Sequence, residues 1–185
     1  MSMSESVSIS SKLEQLLPQL FENKDLRGDR YLRFQLDAGI TALIPIDDVR
    51  ESLLIDRDKI TPVPKMSPFI MGAINSRDRV FLVMDLPLLV NLTPISAYAR
   101  EYNLVVVNIA PFIPDNNSHS SELWLGLAVH KIEGITRTEQ KPIKDDSSTP
   151  LFSEKSLDEY IYGWIIEQNQ TLAVLDLVKI VKKSF

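Results

Sequence analysis

From residue 30 onward, the hydrophobic pattern consists mainly of short runs that are typical of β-strands. Residues 31–36 alternate between apolar and polar side chains, which predicts a half-buried strand. A polar turn at residues 37–39 separates this strand from a second run at residues 40–46, so the two predict a β-hairpin. Residues 47–55 suit either a short helix or a strand, and the pattern leaves both open.

Further strand-like runs follow at intervals along the rest of the chain. The run at residues 80–84 is apolar at every position and predicts a strand that is buried on both faces. Residues 61–68 hold three prolines, which predict an extended loop because proline donates no backbone hydrogen bond. About nine or ten short strands with few helices predict a β-barrel or sandwich. The other predicted strands are residues 69–74, 102–109, 123–129, 132–138, 160–166 and 171–175, and residues 177–183 predict a closing helix.

The N-terminal region has a different pattern from the β-rich remainder. After a polar stretch at residues 1–10, residues 11–14 (Ser-Lys-Leu-Glu) form a capping box, which is typical of a helix start. Pro18 predicts a kink or break in this helix. The helix either packs on its own domain or docks on a partner, and we divide the chain into a leader with helix, 1–29, and a β domain, 30–185. Its apolar positions at helical spacing are Leu13, Leu16, Leu17, Leu20 and Phe21.

Composition narrows the classes of protein to which the chain can belong. With 25 acidic and 20 basic residues the formal charge is −5, which disfavours nucleic acid as a partner. There is no cysteine, so disulfides, thiolate nucleophiles and cysteine metal sites are excluded. The start of the chain lacks the apolar core of a signal peptide, and no apolar run approaches the ~20 residues of a membrane helix. We therefore predict a cytoplasmic protein with no direct membrane insertion.

No motif for catalysis, cofactor binding or metal binding stands out. The two histidines, His119 and His130, match no usual ligand spacing, and there is no Gly-x-Ser-x-Gly elbow or glycine-rich phosphate loop. We predict no catalytic residue, no cofactor and no metal. Gly72, Gly126 and Gly163 lie within strand patterns and predict bends or close backbone approach.

Three segments together resemble the CheW-like domain family of chemotaxis coupling proteins. Residues 44–51 (Ile-Pro-Ile-Asp-Asp-Val-Arg-Glu) resemble its Leu-Pro-Ile-x-x-Val-x-Glu segment. Residues 68–77 and 80–86 are similar to its central Pro-x-x-x-x-Gly-x-x-Asn-Leu-Arg-Gly and Pro-Val-x-Asp-Leu motifs. The resemblance runs in order to the closing hairpin and helix.

The resemblance implies a mainly β fold of two intertwined five-stranded SH3-like barrels with short terminal helices and no enzymatic activity. It implies a scaffold that couples the cytoplasmic tip of a methyl-accepting chemoreceptor to the regulatory domain of a CheA-type histidine kinase. Such an adaptor serves chemotaxis or type IV pilus motility and is recruited to membrane-associated receptor arrays.

The chain departs from the family pattern at two positions. The family's Asn-Leu-Arg-Gly is Asn75-Ser76-Arg77-Asp78 here, so an aspartate replaces a glycine that adopts positive φ easily. Residues 125–129 (Leu-Gly-Leu-Ala-Val) resemble the family's Gly-Leu-x-Val strand, and the aspartate that usually follows this strand is His130 here.

By the resemblance, the partner-binding residues are Val49, Glu51, Asn75 and Arg77. Arg77 is the strongest candidate because a planar guanidinium recognises carboxylates with two hydrogen bonds. Replacing Arg77 by alanine removes a charge from a turn and not a core side chain, so its effect on stability should stay within about 0.5 kcal/mol. The alternative is that Arg77 is only a surface arginine in a hairpin. Glu51 faces a partner or pairs with a neighbouring arginine.

The alternative function is a small β-barrel ligand-binding protein or an enzyme with an unrecognised site. A deep cavity with converging polar groups would favour that alternative.

Overall fold

The computed structural model describes residues 27–113, 122–144, 155–167 and 169–184. These residues form ten strands in two five-stranded sheets, which confirms the predicted mainly β fold class. The first sheet contains β1 (Asp29–Asp37), β2 (Ile40–Pro45), β8 (Lys131–Thr138), β9 (Ile161–Glu167) and β10 (Gln170–Leu175). The second sheet contains β3 (Val49–Asp56), β4 (Ile70–Ser76), β5 (Arg79–Asp85), β6 (Glu101–Asn108) and β7 (Trp124–Val129).

The two sheets are intertwined along the chain. The first has the order β8-β1-β2-β10-β9, so the first two and the last three strands build it together. The second has the order β3-β6-β7-β5-β4 and comes entirely from the middle of the chain. Each sheet contains one parallel pair, β2 with β10 and β5 with β7, and its other pairs are antiparallel.

Both sheets curl so that a segment next to one edge meets the opposite edge. Thr61, which follows β3, forms an isolated bridge with Ala73 on β4, and Ile143, which follows β8, bridges Trp164 on β9. A glycine adjoins each bridge: a Cβ on Gly72 would lie 2.3 Å from the Thr61 carbonyl oxygen, and one on Gly163 would lie 2.9 Å from Pro142 Cβ. The predicted close backbone approach at these glycines is confirmed, because no side chain fits there.

One hydrophobic core is shared between the sheets. It includes Phe34 and Ile44 from the first sheet and Val105 and Leu127 from the second, all fully buried. Two smaller clusters lie inside the curled sheets, one in each sheet. The shared core holds the two sheets together as one packed body.

Most predicted strands are confirmed, one ambiguous stretch is decided, and two details differ. The ambiguous stretch at residues 47–55 is a 3-10 turn, Ile46–Asp48, followed by β3. The prediction that residues 80–84 are buried on both faces is wrong at Val80, which is 74% exposed beside the β4–β5 turn. Two residues after that run, Leu86 begins a single-turn helix, α1 (Leu86–Leu89), which the pattern did not predict. Asp85 caps it by accepting a hydrogen bond from the Leu88 amide.

The closing helix is confirmed as α3 (Leu177–Ser184), which follows a second single turn, α2 (Lys155–Asp158). Leu177, Ile180 and Val181 are buried, and Lys182 and Lys183 lie in the last turn, where cations favour the helix dipole. The helix predicted at residues 11–21 lies outside the described residues. Within the described ranges, no helix combines the length and apolar character needed to cross a membrane.

Candidate functional site

The turn between β4 and β5 consists of only two residues, Arg77 and Asp78. Ser76 pairs directly with Arg79, and the φ angles of Arg77 and Asp78 are both positive, at 48° and 64°. Two positive φ angles in a two-residue loop are typical of a type I′ turn, whose twist matches that of a hairpin. Asp78 therefore adopts, at some conformational cost, the backbone geometry that the family's glycine adopts freely.

On the opposite edge of the same sheet, β3 directs Glu51 inward. Val49 pairs with Val107 and Glu51 pairs with Val106, so Arg50 is an extra residue that forms a β-bulge. From Glu51 to Ile55 the less exposed side chains alternate with exposed ones, which places Glu51 on the inward-facing side of the strand. The Glu51 side chain is only 10% exposed.

Glu51 and Arg77 form an ion pair between these two edges. Arg77 Nη1 lies 3.0 Å from Glu51 Oε2, and the Arg77 side chain is 74% exposed. Among the described residues, neither carboxylate oxygen of Glu51 accepts a well-aligned hydrogen bond, although both are buried. A buried carboxylate is costly without a compensating partner, so Arg77 supplies the charge that Glu51 needs. The predicted pairing of Glu51 with a neighbouring arginine is thus present.

The other two predicted site residues lie near this pair in different environments. Val49 is half-buried and packs against the shared core, whereas Asn75 is exposed on β4, opposite Val80. The Glu51–Arg77 contact therefore joins the two segments that contain all four residues. We call these four residues, Val49, Glu51, Asn75 and Arg77, the candidate surface.

A second charged group lies close to the turn and was not predicted from the sequence. Arg79 forms an ion pair with Glu122 at 2.8 Å, and its guanidinium carbon lies 4.6 Å from the centre of the Trp124 ring. The signal for this cluster was the spacing of Arg79 two residues after Arg77. Trp124 begins β7 and Glu122 lies two residues before it. The sequence of β5 alone does not reveal either contact.

His130, at the second departure from the family pattern, lies between the two sheets. Its Nε2 is 3.1 Å from the Thr93 carbonyl oxygen, and its backbone amide donates to the Gln35 carbonyl. Asp37 accepts a hydrogen bond from the Thr93 amide at 3.0 Å, and this bond is the main reason that the pKa of Asp37 is lowered. His130 therefore belongs to a structural junction that ties β7 and β8 to the loop after α1.

The described residues offer little support for a catalytic or metal site. Within the described ranges, no three histidine or acidic side chains are grouped so as to hold a metal ion. One depression of about 690 Å³ is formed by residues 56–59 and 98–101, whose charged side chains are exposed. The buried Asp85 has a raised pKa, mainly because of burial, but its two oxygens accept the amides of Leu88 and Ile95. Its role is that of a helix cap.

Comparison with known proteins agrees with this fold. The sequence profile of the CheW-like domain matches residues 30–185. The chain is similar to the chemotaxis protein CheW of Thermotoga maritima, with 23% identity over 158 residues that cover 85% of this chain and 91% of the relative. Its structure is similar to the crystal structure of the scaffolding protein CheW from Thermoanaerobacter tengcongensis, with a TM-score of 0.62 and 18% identity over 81% of this chain and 90% of the other. The chain therefore belongs to the CheW-like family, whose members are non-catalytic scaffolds.

Proposed function

We propose that this protein couples the cytoplasmic tips of chemoreceptors to the regulatory domain of a CheA-type histidine kinase. The match to the CheW-like family over residues 30–185 supports this role in chemotaxis or pilus motility. In this proposal the β domain, 30–185, provides the binding surfaces, and the protein is a cytoplasmic one that is recruited to membrane-associated receptor arrays. This proposal assigns no coupling role to the leader, 1–29.

The Glu51–Arg77 contact is the observation that carries the proposal for the candidate surface. Arg77 has five N–H donors, and the approach of Nη1 to Glu51 engages one end of its guanidinium. Because Arg77 is 74% exposed, its other donors are accessible to a partner. A guanidinium held in place before binding loses less side-chain entropy when it binds, which is a property of good interface anchors. We propose that Arg77 meets a carboxylate or carbonyl group of the receptor or kinase.

A reconstituted mixture of receptor signalling fragment, CheA-type kinase and this protein tests the proposal. The measured quantities are co-sedimentation of the three proteins and the phosphorylation rate of the kinase. Arg77→Ala is expected to weaken complex formation by more than about 30-fold if Arg77 is an interface hot spot. Arg100→Ala is the matched control, because Arg100 is also an exposed arginine but lies outside the candidate surface.

Stability has to be separated from binding, because Arg77 also compensates Glu51. The double variant Glu51→Gln, Arg77→Ala removes both charges and is expected to fold well but still to bind weakly. Full coupling by this double variant would contradict the assignment of the candidate surface. Failure of the unchanged protein to join receptor and kinase from its own organism would contradict the proposed function itself.

A further inference from the structure

An apolar groove lies on the side of the protein where β1 begins. It has a volume of about 340 Å³ and is formed by the ends of β1, β2 and β10, the 3-10 turn after β6, and the start of α3. Tyr162 and Val178, two of its lining residues, are 48% and 38% exposed. A rim of exposed apolar side chains around a groove is typical of a docking site for another apolar segment. Its apolar walls include Tyr31, Pro45, Phe112, Tyr162, Leu177 and Val178.

The described chain begins next to this groove. Asp29 lines the groove and forms an ion pair with Lys141, another lining residue, at 2.8 Å. Arg27, the first described residue, is two positions before Asp29. Residues 1–26 therefore enter the described structure within a short distance of the groove.

The leader sequence contains a segment with the right chemistry to fill the groove. Its five apolar positions, from Leu13 to Phe21, fall on one face of a helix, and Gln15 and Gln19 fall on the other. Asp29 lies eight positions after Phe21, and an extended chain of this length spans about 26 Å. The groove is thus within reach of the apolar face. A helix this short, with Pro18 inside it, is only marginally stable in water unless its apolar face is covered.

We propose that the apolar face of residues 13–21 docks in the groove of its own chain. The tether favours this occupant over a second copy, because a short linker gives an effective concentration in the millimolar range. The proposal does not depend on the proposed coupling function. In the proposed position, the leader lies on the side of the domain that also contains Asp48, the neighbour of Val49.

The absence of cysteine from the whole sequence allows a direct test by disulfide formation in the full chain. One variant carries Leu17→Cys and Val178→Cys, with the second cysteine at the groove. A control variant carries Leu17→Cys and Tyr98→Cys, because Tyr98 is 93% exposed and is not one of the groove's lining residues. At low protein concentration, the first pair should form an intramolecular disulfide about tenfold faster than the control pair.

Substitutions in the leader then test whether the apolar face is responsible. Adding Leu16→Asp and Leu20→Asp to the first cysteine pair should lower its rate to that of the control. Adding Gln15→Asp and Gln19→Asp, on the opposite helical face, should leave the rate unchanged. Equal rates for the two cysteine pairs would overturn the proposal, and so would disulfides that join two chains, which would assign the groove to a second copy. A thermal melt of each variant confirms that the compared proteins are folded.

Discussion

Replacing Arg77 by alanine would leave the carboxylate of Glu51 buried without its cation. Breaking a fully buried ion pair costs about 3–5 kcal/mol, whereas an exposed pair contributes only about 0.2–1 kcal/mol. The present pair falls between these limits, because Glu51 is 10% exposed and Arg77 is 74% exposed, so water screens one partner. We expect Arg77→Ala to lower the free energy of unfolding by about 2 kcal/mol, which corresponds to a melting temperature about 6 °C lower for a chain of this size.

A double-mutant cycle in urea isolates the contribution of the pair. Glu51→Gln keeps the shape of the side chain and leaves Arg77 hydrated, so its cost should be about 0.5 kcal/mol. In the double variant no buried charge remains, and its stability should exceed that of Arg77→Ala by about 1 kcal/mol. Unfolding midpoints at constant m-value give each free energy.

Two results would refute this reasoning. If Arg77→Ala is as stable as the unchanged protein, Glu51 does not depend on Arg77 and the ion pair has no energetic role. If Glu51→Gln in the Arg77→Ala background gives no recovery, the loss comes from the turn backbone and not from the uncompensated carboxylate. Arg100→Ala serves again as the control for removal of an exposed arginine.

Four further variants test other parts of the structure. Asp78→Gly should raise the urea midpoint and stabilise the protein by about 0.5–1 kcal/mol, because glycine adopts the φ of 64° at lower cost. Gly72→Ala should cost about 2–4 kcal/mol, since its Cβ would meet the Thr61 carbonyl, whereas Gly39→Ala, with open space around it, should cost about 1 kcal/mol in the same assay. Burial raises the folded-state pKa of Asp85, so the folded protein binds the proton more tightly and is expected to lose stability as pH rises above about 4. Thermal melts across that pH range should lack this loss in Asp85→Asn.

The strand pattern was predictable from the sequence because alternation and turn residues are local signals. The 31–46 hairpin and the 160–175 hairpin both formed from such signals, as β1–β2 and β9–β10. In contrast, β3 was ambiguous because a charged residue, Glu51, occupies an inward-facing position between apolar neighbours. A carboxylate is tolerated at that inward-facing position because Arg77, from the opposite edge of the sheet, forms an ion pair with it. No local sequence pattern reveals such a contact.

The candidate surface was predictable in its residues but not in its geometry. The family motif pointed to Glu51 and Arg77 separately, and the structure adds that they are ion-paired and that one is buried while the other is exposed. This contact changes the expected effect of Arg77→Ala from about 0.5 to about 2 kcal/mol, because the arginine is more than a solvated turn residue. The Arg79–Trp124 contact was missed for the same reason, since it joins strands that are distant in the sequence.

The bridges beside Gly72 and Gly163 bear on how this protein behaves when many copies are crowded together. Ala73 lies on the edge strand β4 and Trp164 on the edge strand β9. The backbone amide and carbonyl of each bond to the protein's own chain, Ala73 to Thr61 and Trp164 to Ile143. Those groups are the ones that a strand from another molecule would need for edge-to-edge addition, the usual first step toward aggregation of β-proteins. At these positions the protein is protected against indiscriminate strand pairing, so contacts between crowded copies there depend on side chains, which can be selective.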